Sequence, residues 1–463
     1  MSTVQNQLLK LLASDGANND NFGCSVSMSG NYAIIGAHAD DSWKGSAYIF
    51  EINGSTWTQK QKLTASDRAQ DNFGFSVSLS GNYAIVGAYD NDDNSKSNSG
   101  SAYIFECDET GNWTQKQKLL ASDADTDDNF GYSVAISGDY AIVSAWKNDD
   151  NDKSESGTAY IFERDTSGNW TQKQKLTASD ADTNNYFGIS VAISGNYAIV
   201  GAHGNDSFKG AVYIFERDGS GNWTQKQKLT ASDSANSDTF GNSLAINGDY
   251  IIVGAEASDA SGNDSGSAYI FERDANDNWG TAVNGETYRT ETKKLLASDA
   301  AKSDNFGNSV EINGNYAIVG ARLNDDTESN SGSAYFFQRD ANGNWGTAVD
   351  GETHRTETKK FLASDRSNNS QLGHSAAISG DYAIIGAGGN SWRGAAYIFK
   401  IVPTTRWLTD ISNNFLTSTS LVSKTDVDTY LSYVTEIASF NQTESNTFFT
   451  DLSNNSNTNA VMS

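Results

Sequence analysis

Short runs of apolar and alternating residues, separated by Gly, Asn and Asp, recur along almost the whole chain. In the clearest run, residues 22–37, two apolar segments flank a Gly-Asn pair. Two apolar segments joined by two residues with Gly first predict a β-hairpin, because Gly accepts the positive φ of a primed turn. The run returns at Phe73, Phe130, Phe187, Phe240 and Phe306, and in degraded form at Leu372.

The seven copies lie 51, 57, 57, 53, 66 and 66 residues apart, a period typical of repeat architectures. In the third copy an acidic loop, a strand at 158–164, a turn and an alternating strand at 170–177 follow the hairpin. Four strands with up-down connections predict a four-stranded antiparallel sheet with two apolar faces. Seven such sheets set radially bury both faces. We therefore expect an all-β, seven-bladed β-propeller, with the Ser- and Ala-rich strand one innermost and strand four at the rim.

The two ends of the chain predict how the propeller closes. The last copy ends after its third strand at Phe399, and no Lys-Gln-Lys-Leu strand follows it. Residues 9–15 match residues 118–123 of the second copy, so the N-terminal strand is expected to be the outer strand of blade seven. The alternative is an unpaired N-terminal extension. The predicted domains are a propeller at 1–402 and a C-terminal extension at 403–463.

Six copies carry Phe-Gly, and the seventh carries Leu-Gly, followed 13 residues later by Gly-Ala or a close variant, as at Gly23 and Gly36. This pattern resembles the FG-GAP repeat of the integrin α-subunit propeller and of related bacterial, algal and viral proteins. The resemblance covers roughly residues 5–402. It implies ligand binding on the face that carries the strand 4–1 and strand 2–3 connections. It also implies calcium loops between strands one and two. Here that position holds only Gly-Asn or Gly-Asp, too short for a cation that takes six to eight oxygens, so those calcium sites are not carried over.

Two other segments have the alternating oxygen spacing of a cation loop. They are Asp123, Asp125 and Asp127 in one repeat, and Asp180, Asp182 and Asn184 in the next. Weak Ca²⁺ binding in these strand 4–1 loops is the metal hypothesis. The alternative is that these side chains cap turns and keep the loops solvated.

The same face carries the candidate contact residues for a partner. Acidic pairs occupy the long strand 2–3 loops: Asp92, Asp93, Asp149, Asp150, Asp325 and Asp326. Trp43 and Trp392 occupy the short strand 2–3 loops of blades one and seven. We expect a non-enzymatic scaffold that binds a protein partner, and the alternative is a lectin in which these tryptophans stack on sugars. The repeated tryptophans that begin strand four are expected to pack, with sugar stacking as the alternative.

Composition narrows the partner classes. With 32 Lys and Arg against 58 Asp and Glu, the net charge is −26, which argues against nucleic acid and anionic membranes. The four histidines form no catalytic motif, and no catalytic residue is assigned. Cys24 and Cys107 lie in different blades, so no disulfide is expected. No signal peptide or membrane-spanning run is recognised. We therefore expect cytoplasmic synthesis, with incorporation into a virion or surface layer suggested by the family resemblance.

Two kinds of segment depart from the repeat pattern. Residues 278–287 and 344–353 lengthen the connection between strands three and four in blades five and six, and predict projecting hairpins. Beyond Pro403, Val427, Leu431, Val434 and Ile437 recur at helical spacing and predict an amphipathic helix near 425–440. This helix is expected to pack either within the chain or on a neighbouring subunit.

Overall fold

The computed structural model describes residues 3–93, 95–150, 152–326, 328–349, 353–389 and 393–401. The chain divides into two units, residues 1–401 and residues 402–463. All described residues belong to the first unit. The predicted helix near 425–440, and the assembly through it, therefore lie outside the described residues.

Seven sheets, each with four antiparallel core strands, succeed one another along the chain. The strands of blades one to four are Val26–Ser29, Tyr32–Ala37, Ser46–Asn53 and Thr56–Leu63; Val77–Ser80, Tyr83–Ala88, Ser101–Cys107 and Trp113–Leu119; Phe130–Ser137, Tyr140–Ala145, Thr158–Arg164 and Trp170–Leu176; and Phe187–Ser194, Tyr197–Ala202, Ala211–Arg217 and Trp223–Leu229. Those of blades five to seven are Ser243–Asn247, Tyr250–Ala255, Ser267–Glu272 and Lys293–Leu295; Phe306–Asn313, Tyr316–Ala321, Ser333–Gln338 and Lys359–Leu362; and Leu372–Ser379, Tyr382–Ala387, Ala395–Lys400 and Leu9–Leu11.

Strand one of every blade packs against strand one of the next blade, and strand one of blade seven packs against that of blade one. These strands therefore form the innermost ring. The apolar clusters lie between blades, as where Ile34 of blade one packs with Phe73 and Val77 of blade two. Because neighbours cover both faces of each sheet, strand two is buried at five of its six positions in Tyr140–Ala145. The seven-bladed β-propeller is confirmed.

The N-terminal strand closes the ring, as the sequence predicts. Leu9–Leu11 pairs antiparallel with strand three of blade seven, with Lys10 opposite Tyr397. Leu11 joins the apolar cluster that unites blades seven and one. One further strand was not predicted. Thr3–Asn6 runs parallel to Lys359–Leu362 and adds a fifth strand to the rim of blade six.

The long connections of blades five and six are hairpins, but they do not project. Thr281–Ala282 pairs with Tyr288–Thr290, which in turn runs parallel to strand four of blade four. Thr347–Ala348 and Arg355–Thr356 repeat the arrangement on blade five. Projection was the wrong prediction, because the outer strand of the preceding blade leaves backbone groups for these segments to pair with.

Close approach of neighbouring blades explains the Phe-Gly and Gly-Ala motifs. A Cβ atom placed on Gly36 would lie 1.9 Å from the carbonyl oxygen of Gly74 in the next blade. Gly74 also has a φ of 92°, which favours glycine. The two motifs are therefore the two sides of one contact between blades.

Two short helices, Asp40–Trp43 and Asn205–Phe208, lie in the strand 2–3 loops of blades one and four. Within the described part of the chain, no helix is long and apolar enough to cross a bilayer. Cys24 and Cys107 are both free thiols.

Candidate functional site

The strand 4–1 and strand 2–3 connections lie on one face of the propeller, which we call the loop face. Asn98, in the strand 2–3 loop of blade two, donates its Nδ2 to Asp127 Oδ1 in the following strand 4–1 loop at 2.8 Å. Lys96, from the same long loop, donates to the carbonyl oxygen of Ala124. The predicted sharing of this face by the two sets of loops is confirmed.

Every blade has an Asp-Tyr-Lys triad where strand four leads into the loop face. The aspartate accepts hydrogen bonds from a buried tyrosine hydroxyl and from a lysine of strand four. The triads are Asp15-Tyr48-Lys62, Asp67-Tyr103-Lys118, Asp123-Tyr160-Lys175, Asp180-Tyr213-Lys228, Asp233-Tyr269-Lys294, Asp299-Tyr335-Lys360 and Asp365-Tyr397-Lys10. Burial alone would raise the pKa of Asp123, but hydrogen bonds from Lys175 and Tyr160 outweigh it and lower the pKa.

A second sevenfold contact joins neighbouring blades beside the triads. The serine before each triad aspartate bonds a Gln or Glu side chain on or next to strand four of the next blade. The pairs are Ser14-Gln59, Ser66-Gln115, Ser122-Gln172, Ser179-Gln225, Ser232-Glu291, Ser298-Glu357 and Ser364-Gln7. Because the first and last pairs include N-terminal residues, the closing strand is fastened on both sides.

The structure separates the six residues proposed for calcium. Asp123 and Asp180 belong to the triads. Asp125 and Asp182 each accept a hydrogen bond from the backbone N–H of the next residue, at 2.8 Å. The remaining two residues, Asp127 and Asn184, have positive φ values of 64° and 59°. Among the described residues, no group of three or more His, Cys, Asp or Glu side chains is placed to hold a metal ion. Calcium binding therefore stays a prediction from the sequence.

The acidic pairs of the long loops divide into two roles. The first member caps its own loop, since Asp92 and Asp149 accept backbone N–H bonds from Asn98 at 2.8 Å and from Glu155 at 2.7 Å. Asp325 does the same with Asn330. The second member pairs with the triad lysine of its own blade. These ion pairs are Asp93-Lys118 at 3.3 Å, Asp150-Lys175 at 2.8 Å and Asp326-Lys360 at 3.0 Å.

The two short described loops each present an aromatic side chain. Trp43 is 51% exposed and Phe208 is 40% exposed. Each follows two residues with positive φ, and Trp43 and Phe208 themselves have φ values of 68° and 64°. This left-handed turn lifts the ring away from the core. Trp392, the predicted counterpart in blade seven, lies outside the described residues.

Trp43 and Phe208 are the two ends of a continuous series of rings, which we call the aromatic arc. Neighbouring ring centroids along it are 4.6 to 6.1 Å apart. Its members are Trp43, His38, Phe75, Tyr89, Tyr132, Trp146, Tyr186, His203 and Phe208. Most of them follow the Phe-Gly or Gly-Ala motif directly, at the loop-face end of the inner strands. The arc therefore borders the mouth of the central channel across blades one to four.

Blades five to seven complete the channel mouth with polar side chains. Glu256 accepts a hydrogen bond from Asn242 at 3.1 Å and pairs with Arg322 at 3.3 Å. Asn242 in turn contacts His203 of the arc at 3.2 Å. Burial lowers the pKa of His38 to about 4, and burial together with the charges of Arg322 and His38 lowers that of His374 to about 4. Both imidazoles are therefore neutral at pH 7.

The repeated tryptophans of strand four pack, as predicted. Trp57, Trp113, Trp170 and Trp223 are 2 to 6% exposed. Trp113 meets Tyr32 of the preceding blade edge-on, with ring centroids 5.6 Å apart. These buried rings are too little exposed to stack on a sugar.

The sequence contains a signal for the aromatic arc that the predicted contact residues did not include. When the repeats are aligned, the residue after Gly-Ala or Ser-Ala is His38, Tyr89, Trp146 and His203 in blades one to four. In blades five and six the same position holds Glu256 and Arg322. This position differs between repeats although the motif before it is constant, and it is aromatic in four consecutive repeats. Such a pattern indicates that these side chains form one shared surface.

A family model for the FG-GAP repeat matches residues 6–50, 57–105, 113–162, 170–215, 223–271, 290–337 and 356–399. No curated protein matches the chain. Each matched segment runs from the outer strand of one blade through strand three of the next. The first segment accordingly begins in the N-terminal residues that close the ring. The matches cover more than half of the chain, which therefore belongs to the FG-GAP repeat family.

Proposed function

We propose that this protein is a non-catalytic binding scaffold whose loop face contacts a protein partner. FG-GAP propellers commonly mediate protein interactions. The observation that carries the assignment to this face is the aromatic arc, with Trp43 and Phe208 exposed at its ends. Aromatic side chains supply most of the energy at protein interfaces when they enter pockets of a partner.

The charges around the arc indicate the chemistry of the partner. The loops that surround it carry the acidic pairs, and the chain as a whole has a net charge of −26. Triad lysines offset part of this charge, while Asp92, Asp149 and Asp325 accept hydrogen bonds from backbone N–H groups of their own loops. A partner with apolar side chains flanked by Lys or Arg would be complementary to this face.

The absence of catalysis is part of the proposal. With pKa values of about 4, His38 and His374 are weak proton acceptors at neutral pH. Each triad aspartate is bonded to a lysine and a tyrosine, so its role is to hold neighbouring strands of the propeller together. The polar groups described on this face bond to one another and hold the loops together, which supports a scaffold role.

A carbohydrate ligand is the second candidate, and one observation favours it. The Trp43 ring, 51% exposed and 5.7 Å from the His38 ring, is a flat apolar surface at a loop tip, beside polar groups of the channel mouth. Sugars present one apolar face to such rings and hydroxyl groups to polar neighbours.

Capture experiments with matched variants test the proposal. Trp43→Ala combined with Phe208→Ala removes both ends of the arc. Leu8→Ala removes an equally exposed apolar side chain, 50% exposed, from the rim. A protein captured from the native source by wild type and by Leu8→Ala, but not by the double variant, supports the proposed face. Equal capture by all three contradicts it. A glycan array probed with the same three proteins tests the carbohydrate alternative.

Incorporation into a virion or surface layer, and assembly through the C-terminal segment, stay predictions from the sequence.

A further inference from the structure

A cleft of about 680 Å³ opens on the loop face at blade two. Its lining includes Asp67, Asp71, Asp90, Asp92 and Asp93. Two lysines, Lys44 and Lys118, also line it. Burial raises the pKa of Asp71 and of Asp90, because a charged carboxylate loses its hydration there.

Asn91, which also lines the cleft, has an unused hydrogen-bond acceptor. The side chain is 3% exposed, and its Nδ2 donates to Asp71 Oδ2 at 3.0 Å, which fixes the orientation of the amide. Its Oδ1 has no hydrogen-bond partner among the described residues. Buried acceptors are nearly always paired, because an unpaired one loses its bonds to water without replacement. The cleft therefore contains a buried acceptor, Asn91 Oδ1, that is paired with no donor among the described residues.

The other blades show which donor belongs at this position. In blades three, four and six the equivalent asparagine oxygen accepts a hydrogen bond from the triad lysine. These contacts are Lys175 to Asn148 at 3.2 Å, Lys228 to Asn205 at 3.0 Å and Lys360 to Asn324 at 3.2 Å. In blade two, Lys118 bonds Asp67 and Asp93 instead. Three blades thus place an ammonium group at this oxygen, and blade two leaves the oxygen without one among the described residues.

The preceding blade explains why the cleft is open. Blades three and four follow long strand 2–3 loops, whose Lys96 and Lys153 reach forward and donate to Ala124 and Ala181. Blade two follows the short loop of blade one. The lysine of that loop, Lys44, pairs within its own loop with Asp41, at 3.2 Å. Blade two therefore lacks the forward-reaching lysine that blades three and four receive.

We propose that the cleft at blade two binds a lysine side chain of the protein partner, with the ammonium group received by Asn91 Oδ1 and the neighbouring carboxylates. An ammonium carries three donors, so it can bond the unpaired Asn91 Oδ1 and a neighbouring carboxylate oxygen at the same time. Its positive charge is also complementary to a lining in which five aspartates face two lysines. The inference rests on the proposed function, because it names one contact of the partner on the loop face.

A labelled peptide tests the cleft directly. The probe is a dye-labelled tetralysine peptide, measured by fluorescence anisotropy at physiological ionic strength with the full chain. Its Nε-acetylated form is the control ligand, because acetylation removes the charge. Asp92→Asn and Asn91→Leu are each expected to weaken binding by about fivefold or more. The matched variants in blade three, Asp149→Asn and Asn148→Leu, make the same chemical changes where Lys175 already occupies the asparagine oxygen. They are expected to change affinity by less than about twofold.

The outcomes separate this inference from the proposed function. Equal weakening by the blade-two and blade-three variants would show general attraction of a polycation to an acidic protein, and would overturn the cleft assignment. Binding of the acetylated peptide as tight as that of the charged one would also overturn it. The double variant Trp43→Ala with Phe208→Ala could lose the native partner while Asp92→Asn retains it. That result would support partner binding by the loop face and would contradict lysine binding in the cleft. Circular dichroism of each variant checks that the fold is intact, and Asp92→Asn keeps the volume of the side chain.

Discussion

The outer and inner parts of the loop face are built from the same seven repeats, yet they use them differently. Beside strand four, the outer strand, the Asp-Tyr-Lys triads and the serine contacts recur in all seven blades, including the closing one. Beside the inner strands the residue after Gly-Ala or Ser-Ala changes from blade to blade: it is aromatic in the first four blades, charged in blades five and six, and glycine in blade seven. Features that every repeat keeps hold the ring together, because each interface between blades must be made. Features that only some repeats carry are free to form a binding surface.

The largest expected effect comes from opening the ring. Deletion of residues 1–14 removes the outer strand of blade seven, the Lys10–Asp365 ion pair and the Ser14–Gln59 contact. It also exposes the edge of Ala395–Lys400, which invites intermolecular pairing. We expect a loss comparable to the whole folding free energy, about 5–15 kcal/mol, seen as aggregation or a non-cooperative melt.

Leu12→Ser is the control for the deletion, because Leu12 is 54% exposed and the change leaves the closing strand in place. Its melting temperature should equal that of wild type. A truncated protein with an unchanged melting transition would show that the N-terminal strand contributes nothing to closure.

An intermediate effect is expected when the two classes of tryptophan are compared. Trp170 is 2% exposed, packs on Tyr83 of the preceding blade and exchanges backbone hydrogen bonds with the Gln117 side chain. Trp170→Ala should lower the free energy of unfolding by about 3–5 kcal/mol. Trp43→Ala should change it by less than about 0.5 kcal/mol, because that ring is half exposed. Urea denaturation of both variants measures the difference, and equal losses would place Trp43 in the core.

The fold was largely predictable because its information is repeated. Seven copies of one pattern fix the blade number, and the match of residues 9–15 to 118–123 identifies the closing strand. The strand Thr3–Asn6 could not be predicted, since its pairing with Lys359–Leu362 depends on where the ring closes. The hairpins were predicted from their turns, but their position follows from a free sheet edge on another blade.

The candidate site was predictable only in part, because its contacts cross repeats. Asp123 reads as a cation ligand in the sequence, yet its partners Tyr160 and Lys175 are 37 and 52 positions away. Trp43 was identified as a surface residue, while Phe208 was missed because Phe is common in the core of this chain. The cleft at blade two depends on a loop of blade one being short, which matters only once the blades are side by side.

The smallest effect concerns the charge of one triad aspartate, and it depends on pH. Asp123 has its pKa lowered in the folded protein by Lys175 and Tyr160, against the opposing effect of burial. A lowered pKa means that the carboxylate stabilises the fold above its unfolded pKa, and that this contribution is lost as the pH falls through the folded pKa. Asp123→Asn keeps the shape and removes the charge. Because Asp123 is partly exposed, we expect it to cost about 1 kcal/mol at pH 7, and the two unfolding free energies should converge as the pH falls through the folded pKa of Asp123.

Asp128 provides the opposite case within the same loop. Burial raises its pKa, despite hydrogen bonds from Asn148 and from the backbone at Asp125. Its contribution is therefore fully present below the unfolded pKa and declines as the pH rises through the folded pKa. Asp128→Asn should consequently gain stability relative to wild type as the pH rises, whereas Asp123→Asn should lose it. Denaturant unfolding of both variants between pH 3 and pH 7 measures the two trends. If both differences from wild type were independent of pH, neither carboxylate's charge would matter to the fold, and the triads would act through shape alone.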